Sequence, residues 1–217
     1  MGLSILMIKT IFFDLDGVLV DSREIHFKAF NQALKEIYNY EIDLDTHNFY
    51  YNGLPTKVKL KKLITHGIIE DNFDKLKQVN ELKQKYTLEL IKQEIKPKQN
   101  ILELLKWLDD ETIVKLWVVT NAINATTLDL LSKSNILQYI GSRYVTNEDV
   151  KNPKPHPEGF IRAMVSSGTL PENALIVEDS DKGIEAANLT GATVLRINSP
   201  DDAKMSKDYF SQLDLYI

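Results

Sequence analysis

The stretch Phe12-Phe13-Asp14-Leu15-Asp16-Gly17-Val18 closes an apolar run with two carboxylates and a glycine. From Ile8 to Phe13 the residues are β-branched, aromatic or apolar, with only Lys9 and Thr10 between them, and the run stops at Asp14. That pattern predicts a short buried strand. Carboxylates at i and i+2 at a strand end point to the same side. Gly17 then allows a sharp turn and close approach of the backbone to a ligand. In an open α/β sheet the ligand crevice lies outside the carboxyl ends of the strands, where this pair falls. One carboxylate can attack an electrophile while the other acts first as acid and then as base. By itself the pair fits equally a polar strand end ahead of a helix cap.

Working outward, similar strand signals recur at Ile113 to Thr120, Ala174 to Asp179 and Ala192 to Ile197, with a weaker one at Arg143 to Thr146. Helix-period segments at about 100–109, 124–133, 157–167 and 181–189 alternate with them. Strands alternating with helices predict an α/β fold with a mainly parallel, doubly wound sheet. Residues 22 to 95 break the alternation and read as three helical stretches, Ser22–Tyr38, Thr56–His66 and Phe73–Ile91. Ser22 is placed to cap the first, ahead of a stripe of Ile25, Phe27, Phe30, Ala33, Leu34 and Ile37. The expected organisation is a core of residues 1–21 plus 96–217 and an inserted helical cap of residues 22–95.

Composition narrows the chemistry. With 217 residues, 43% hydrophobic and 26% charged, the chain has the make-up of a soluble globular protein with a substantial core. A net charge of -5 does not point to nucleic acid. The absence of cysteine excludes disulfides, thiolate zinc sites and cysteine-nucleophile phosphatase chemistry. The first residues lack a basic leader and a small-residue cleavage site, Leu6 breaks a myristoylation pattern, and Lys9 and Asp14 interrupt any membrane span. Met7 offers a second start beside Met1. A cytoplasmic monomer that engages neither nucleic acid nor membrane is the expectation.

The other strand ends add chemistry. Thr120-Asn121 follows Leu116–Val119 and brings a hydroxyl and fresh backbone N–H groups ahead of a helix, an arrangement suited to a phosphate oxygen. Glu178-Asp179-Ser180 follows Leu175–Val177 and puts two more carboxylates on the same edge, enough oxygen to hold a hard cation such as magnesium. Lys154 lies in Asn152-Pro153-Lys154-Pro155-His156-Pro157, a stiff loop that fixes one ammonium in place. Each of these sites alone also fits an ordinary cap or a solvated loop. Four such sites in order at the mouths of successive βα units do not arise readily by accident.

The segments Asp14-Leu15-Asp16-Gly17-Val18-Leu19-Val20-Asp21-Ser22, Val118-Val119-Thr120-Asn121, Lys154-Pro155-His156-Pro157 and Val177-Glu178-Asp179-Ser180 resemble the four motifs of the haloacid dehalogenase superfamily. Gly183-Ile184-Glu185-Ala186-Ala187 and Gly191 fit its continuation. The resemblance covers essentially the whole chain and is closest to the branch with a helical cap after the first motif, which includes phosphoglycolate phosphatases, sugar-phosphate phosphatases and β-phosphoglucomutases. It implies that Asp14 attacks phosphorus to form an aspartyl phosphate, and that Asp16 protonates the leaving oxygen and then activates the acceptor. It further implies that Asp14, Asp16 through its carbonyl, and Asp179 ligate Mg2+ with Glu178 beside them. Thr120, the Asn121 backbone and Lys154 would hold the phosphoryl oxygens.

On the cap, His26 stands where related mutases and phosphatases carry a substrate-facing histidine. Asn52-Gly53-Leu54-Pro55-Thr56-Lys57 resembles the substrate loop, with Gly53 for its tight turn. Lys57 stands about where the mutases carry a phosphate-gripping arginine, and a lysine keeps the charge without the bidentate fork. Lys59, Lys61 and Lys62 read as a solvated basic face. The expected activity is magnesium-dependent hydrolysis of a small phosphorylated metabolite, with a phosphomutase as the alternative and a non-catalytic phospho-ligand module behind it. A dehalogenase needs neither Asp16 nor magnesium, and a phospho-receiver would have its acceptor on a mid-chain strand without a helical insertion.

Overall fold

The computed structural model describes residues 7–51 and 54–217. In chain order the elements are β1 (Thr10–Phe13), α1 (Arg23–Tyr38), α2 (Leu44–Tyr50), α3 (Thr56–Thr65), α4 (Phe73–Glu94) and α5 (Gln99–Glu111). They continue with β2 (Lys115–Val119), α6 (Asn124–Lys133), α7 (Leu137–Ile140), β3 (Tyr144–Val145) and α8 (Glu158–Ser167). β4 (Ala174–Glu178), α9 (Asp181–Asn188), β5 (Thr193–Arg196) and α10 (Lys207–Phe210) complete the order, with single 3₁₀ turns at Asn147–Asp149 and Pro171–Asn173. The chain divides into two compact units: the segment through Asp21 together with Lys96–Ile217, and Ser22–Ile95.

The first unit is built on a five-stranded sheet in the order β3-β2-β1-β4-β5, every pairing parallel. Parallel strands are covered by helices on both faces, so they read as unbroken apolar runs. β1 and β4 are buried along their whole length, whereas the edge strand β5 is largely exposed or half-buried. Phe13 pairs with Val118 on one side and Val177 on the other. The chain lays down β2 and β3 on one side of β1 and then crosses to place β4 and β5 on the other. The reversal of direction lies between β1 and β4, the topological switch point where open α/β sheets bind ligands. Phe12, Val119, Ile176, Phe160, Ala163, Met164, Ala186 and Ala187 belong to one core cluster on the sheet.

The second unit is helical, with α1 packed along α4. Ile25, Ala29, Phe30, Ala33 and Leu34 form the buried stripe of α1, spaced as an amphipathic helix requires. Phe30, Leu34, Ile42, Tyr51, Leu60, Leu63 and Val79 share its core. Among the described residues four helices stand where three were expected. The extra one, α2, is capped by Asp43, whose side chain accepts from the Thr46 N–H at 2.8 Å, and buries only His47. A seven-residue helix with a single inward side chain leaves almost no periodic signal. Ser22 precedes α1 but makes no side-chain capping hydrogen bond.

Candidate active site

Asp14 follows the last residue of β1, and its N–H donates to the Val177 carbonyl at 2.9 Å, continuing the β1–β4 ladder by one step. The carboxylate is thereby held at the switch point, where it is only 7% exposed. Gly17 takes φ +96 and its N–H closes a tight loop on the Val20 carbonyl at 2.7 Å. A Cβ at Gly17 would overlap the Asp179 carboxylate, so glycine is required there by both backbone and space.

Lys154 reaches the site from the loop after β3, with its Lys154–Pro155 peptide cis. Its ammonium donates to Asp14 Oδ1 at 2.6 Å, to Glu178 Oε1 at 2.5 Å and to the Val119 carbonyl at 2.8 Å. It also lies 4.7 Å from the centre of the Phe160 ring. Burial works against its charge, but Asp14 and Glu178 outweigh that and hold its pKa above the ordinary lysine value. The Asn121 side chain fixes the loop: its Oδ1 accepts from the Lys154 N–H at 3.0 Å and its Nδ2 donates to the Lys154 carbonyl at 3.2 Å. The Thr120 hydroxyl donates to Asp16 Oδ2 at 3.3 Å and accepts from the Ala122 N–H at 3.0 Å.

Glu178 is fully buried at the end of β4. Besides Lys154, its carboxylate accepts from the Asp179 N–H (3.0 Å), the Ser180 N–H (3.1 Å) and the Ser180 hydroxyl (3.2 Å). It therefore sits on the N-terminal end of α9, where the helix dipole favours an anion. The space it fills is left by Gly183, at which a Cβ would overlap the carboxyl group.

Asp14, Glu178 and Asp179 each present a carboxylate oxygen within 4.8 Å of one another. Burial drives the Asp14 pKa well up, Lys154 opposes this, and Glu178, Asp179 and Asp16 add to the rise. Four carboxylates facing one ammonium leave the site with excess negative charge. Oxygen-only donors at this spacing fit a hard divalent cation, whose charge would balance that excess.

Asp14, Asp16, Thr120, Asn121, Lys154, Glu178 and Asp179 thus meet within the first unit. Asn121 adds what the sequence does not suggest, since its side chain anchors the loop that carries Lys154. His26 and Lys57 belong to the helical unit: His26 is half-buried on α1, and Lys57 is exposed on α3. Gly53 lies outside the described residues.

The helical unit also corrects the reading of Lys59, which is buried at 5% exposure instead of solvated. Its ammonium is 3.0 Å from His47 Nε2 and 5.3 Å from the Phe30 ring centre. His47 is itself 2% exposed and stacks obliquely on Phe27 with ring centres 4.9 Å apart. Its pKa falls from 6.5 to about 4, first through burial, then through the Lys59 and His26 charges. On α4, Lys83 Nζ lies 3.5 Å from His26 Nδ1. Val79, Lys83, Thr87 and Ile91 recur every four residues along the buried face of α4, and that spacing was the available signal for Lys83. The sequence marks neither His47 nor Lys59.

Comparison with known proteins agrees with this architecture. A phosphorylated carbohydrates phosphatase of Thermotoga maritima is 29% identical over 184 residues, 84% of this chain and 82% of the relative. A phosphoglycolate phosphatase of Aquifex aeolicus is 30% identical over 183 residues, 84% of this chain and 81% of the relative. The solved β-phosphoglucomutase of Clostridium difficile superposes with a TM-score of 0.78 at 22% identity, covering 95% of this chain and 96% of that one, a likeness of fold. The haloacid dehalogenase-like hydrolase family matches residues 11–197, which span all but the first residue of the sheet and include the site at its switch point. The chain belongs to the haloacid dehalogenase-like hydrolases.

Proposed function

We propose that the chain is a magnesium-dependent phosphatase that hydrolyses small phosphate monoesters through an aspartyl phosphate at Asp14. The observation that carries this reading is the Asp14 carboxylate at the switch point, bonded at 2.6 Å to a buried lysine and ringed by oxygen donors. Phosphoryl transfer asks the protein for little beyond an in-line nucleophile and positive charge around the equatorial oxygens.

In the first half-reaction an Asp14 oxygen bonds to phosphorus while the bond to the ester oxygen breaks. Asp16, two residues on from Asp14, gives its proton to the departing oxygen. In the second half Asp16 takes a proton from water, the water oxygen bonds to phosphorus, and the bond to Asp14 breaks to leave inorganic phosphate. Thr120 and the Asn121 N–H hold phosphoryl oxygens, and the Asn121 side chain keeps Lys154 where it can meet them. Asp14, the Asp16 carbonyl and Asp179 would hold Mg2+, with Glu178 beside them tying Lys154 to α9. The ion would supply further positive charge to the transferring group. The helical unit acts as a cap that selects the ester, and a small phosphorylated metabolite is the partner of a monomer.

Phosphate release from sugar phosphates and phosphoglycolate, measured with Mg2+ and with chelator, tests the reading. Release that requires Mg2+ supports it. Conversion of β-glucose 1-phosphate to the 6-phosphate without release would make the enzyme a mutase instead.

A further inference from the structure

The segment 151–157 carries Lys154 between the 3₁₀ turn at Asn147–Asp149 and α8. It forms neither helix nor strand, so the place of the Lys154 ammonium depends on the side chains that pin the segment. Asn121 supplies one pin, at the Lys154 backbone itself.

A second pin lies where the segment meets α8. Glu158, the first residue of α8, accepts the Lys151 N–H at 2.9 Å through Oε1 and the Asn152 N–H at 3.0 Å through Oε2. Oε2 also accepts from Asn152 Nδ2 at 3.1 Å, and Oε1 from Arg162 Nε at 3.0 Å. The Glu158 N–H donates to His156 Nδ1 at 3.2 Å, and the His156 N–H donates to the Pro153 carbonyl at 3.0 Å. One carboxylate thus ties the start of the segment to its end, with Lys154 inside the closed ring.

An acid in the first turn of a helix is ordinary, because the dipole favours negative charge there. That role asks for charge near the helix end and nothing more. It does not account for both oxygens being spent on two successive N–H groups of the preceding segment, which takes two acceptors in one fixed plane. The side chain is 17% exposed, well short of a freely solvated carboxylate. The ring is also keyed to the sheet. A Cβ on Gly159 would stand 3.0 Å from Val119 Cγ1, so the first turn of α8 lies close against the end of β2. Val119 is the residue whose carbonyl accepts from the Lys154 ammonium at 2.8 Å. With α8 seated on Val119 and the segment tied to α8, the reach of Lys154 to that carbonyl and to Asp14 is set.

We propose that Glu158 is a positioning residue for phosphoryl transfer: its carboxylate clamps the segment 151–157 and so fixes the Lys154 ammonium against Asp14. It touches no reacting group and acts only through Lys154. Glu158 lies one residue beyond the Lys154-Pro155-His156-Pro157 run, and only the fold shows that it reaches backward. The kinetic side of this role rests on the phosphatase reading, whereas the clamp itself does not.

The test compares full-length wild type, Glu158→Gln and Arg162→Ala in the presence of Mg2+. Glutamine keeps the shape but has one acceptor oxygen, so one of the two loop N–H groups loses its partner. Arg162→Ala removes the ion pair along α8 and leaves the loop bonds in place. One readout is hydrogen exchange at the Lys154 N–H, which Glu158 does not itself touch, with the Val118 N–H of β2 as the reference for overall stability. The other is kcat/KM for phosphate release from sugar phosphates and phosphoglycolate. In Glu158→Gln, exchange at Lys154 should quicken relative to Val118 and kcat/KM should fall, each by about tenfold, the scale of a slightly displaced catalytic group. Arg162→Ala should match wild type in both. In an active enzyme, either change without the other in Glu158→Gln would overturn the proposal. So would wild-type behaviour of that variant, or the same losses in Arg162→Ala, which would make Glu158 a helix-stabilising acid only. Should Glu158→Gln fail to fold, Glu158→Ala carries the same comparison with a better helix former. A wild type that releases no phosphate would count against the phosphatase alone, and exchange at Lys154 would then decide the clamp by itself.

Discussion

The substitution Gly183→Ala separates the packing described here from ordinary helix energetics. In a helix interior alanine is favoured over glycine by about 1 kcal/mol, so an unconstrained position would be stabilised. At Gly183 the new Cβ would instead overlap the carboxyl group of Glu178. That carboxylate is fully buried and cannot swing into water. It holds Lys154 at 2.5 Å and accepts two N–H groups and a hydroxyl at the start of α9. Overpacking alone costs about 1–3 kcal/mol, and weakening a buried ion pair can cost about 3–5 kcal/mol. The ion-pair figure alone, set against the helix gain, leaves a net destabilisation of about 2–4 kcal/mol. For a chain of this size that lowers the melting temperature by about 5–15 °C. Urea unfolding and thermal melts of metal-free protein measure it. In a Glu178→Ala background the clash has no partner, so the same Gly183→Ala change should there become neutral or stabilising. A neutral Gly183→Ala in the wild-type background, or an equal cost in both backgrounds, would refute the reasoning.

Three further outcomes follow from the geometry. His47 has a folded-state pKa of about 4, below its unfolded value of 6.5, so the unfolded chain takes up the proton first. Its contribution is fully present above about pH 6.5 and is lost as pH falls towards 4, about 3 kcal/mol in all. His47→Phe should flatten urea-measured stability across that window, and parallel profiles for the two proteins would contradict the assignment. Asn121→Ala removes both side-chain bonds to the Lys154 backbone and should lower kcat/KM by about 10–100-fold, with Asn121→Asp less damaging because it retains the acceptor; full activity in Asn121→Ala would count against the anchoring role. Glu158 accepts from the Lys151 and Asn152 N–H groups at 2.9 and 3.0 Å, and these bonds, the Lys151 one foremost, hold its pKa near 2. Amide exchange at Lys151 and Asn152 should therefore remain protected well below the usual carboxylate range and open as pH approaches 2, and loss of protection already near pH 4.5 would be the contrary result.

Much of the fold is legible in the sequence because parallel strands covered on both faces must be continuous apolar runs. β1, β2 and β4 therefore announce themselves and place Asp14, Thr120 and Glu178 at one edge. α6 is visible to the residue, since Asn124–Lys133 carries a full helical period. The helical unit is harder. Lys59, Lys61 and Lys62 look alike in sequence, and only the fold shows that Lys59 turns inward to His47. Its partner sits on α2, a helix too short to show a period, so neither half of the pair could be inferred from the other. Asn121 and Gly183 were legible as members of motifs but not as an anchor and a void, because those roles depend on Lys154 and Glu178, which are distant or one strand end away.

Trapping the phosphoryl group tests directly whether Asp14 is the nucleophile. Wild-type enzyme mixed with substrate and Mg2+, quenched in acid within one turnover and digested, should yield a phosphorylated peptide containing Asp14, while Asp14→Asn should yield neither that peptide nor free phosphate. Phosphate release that persists in Asp14→Asn, or a phosphoryl group trapped on any other residue, would contradict it.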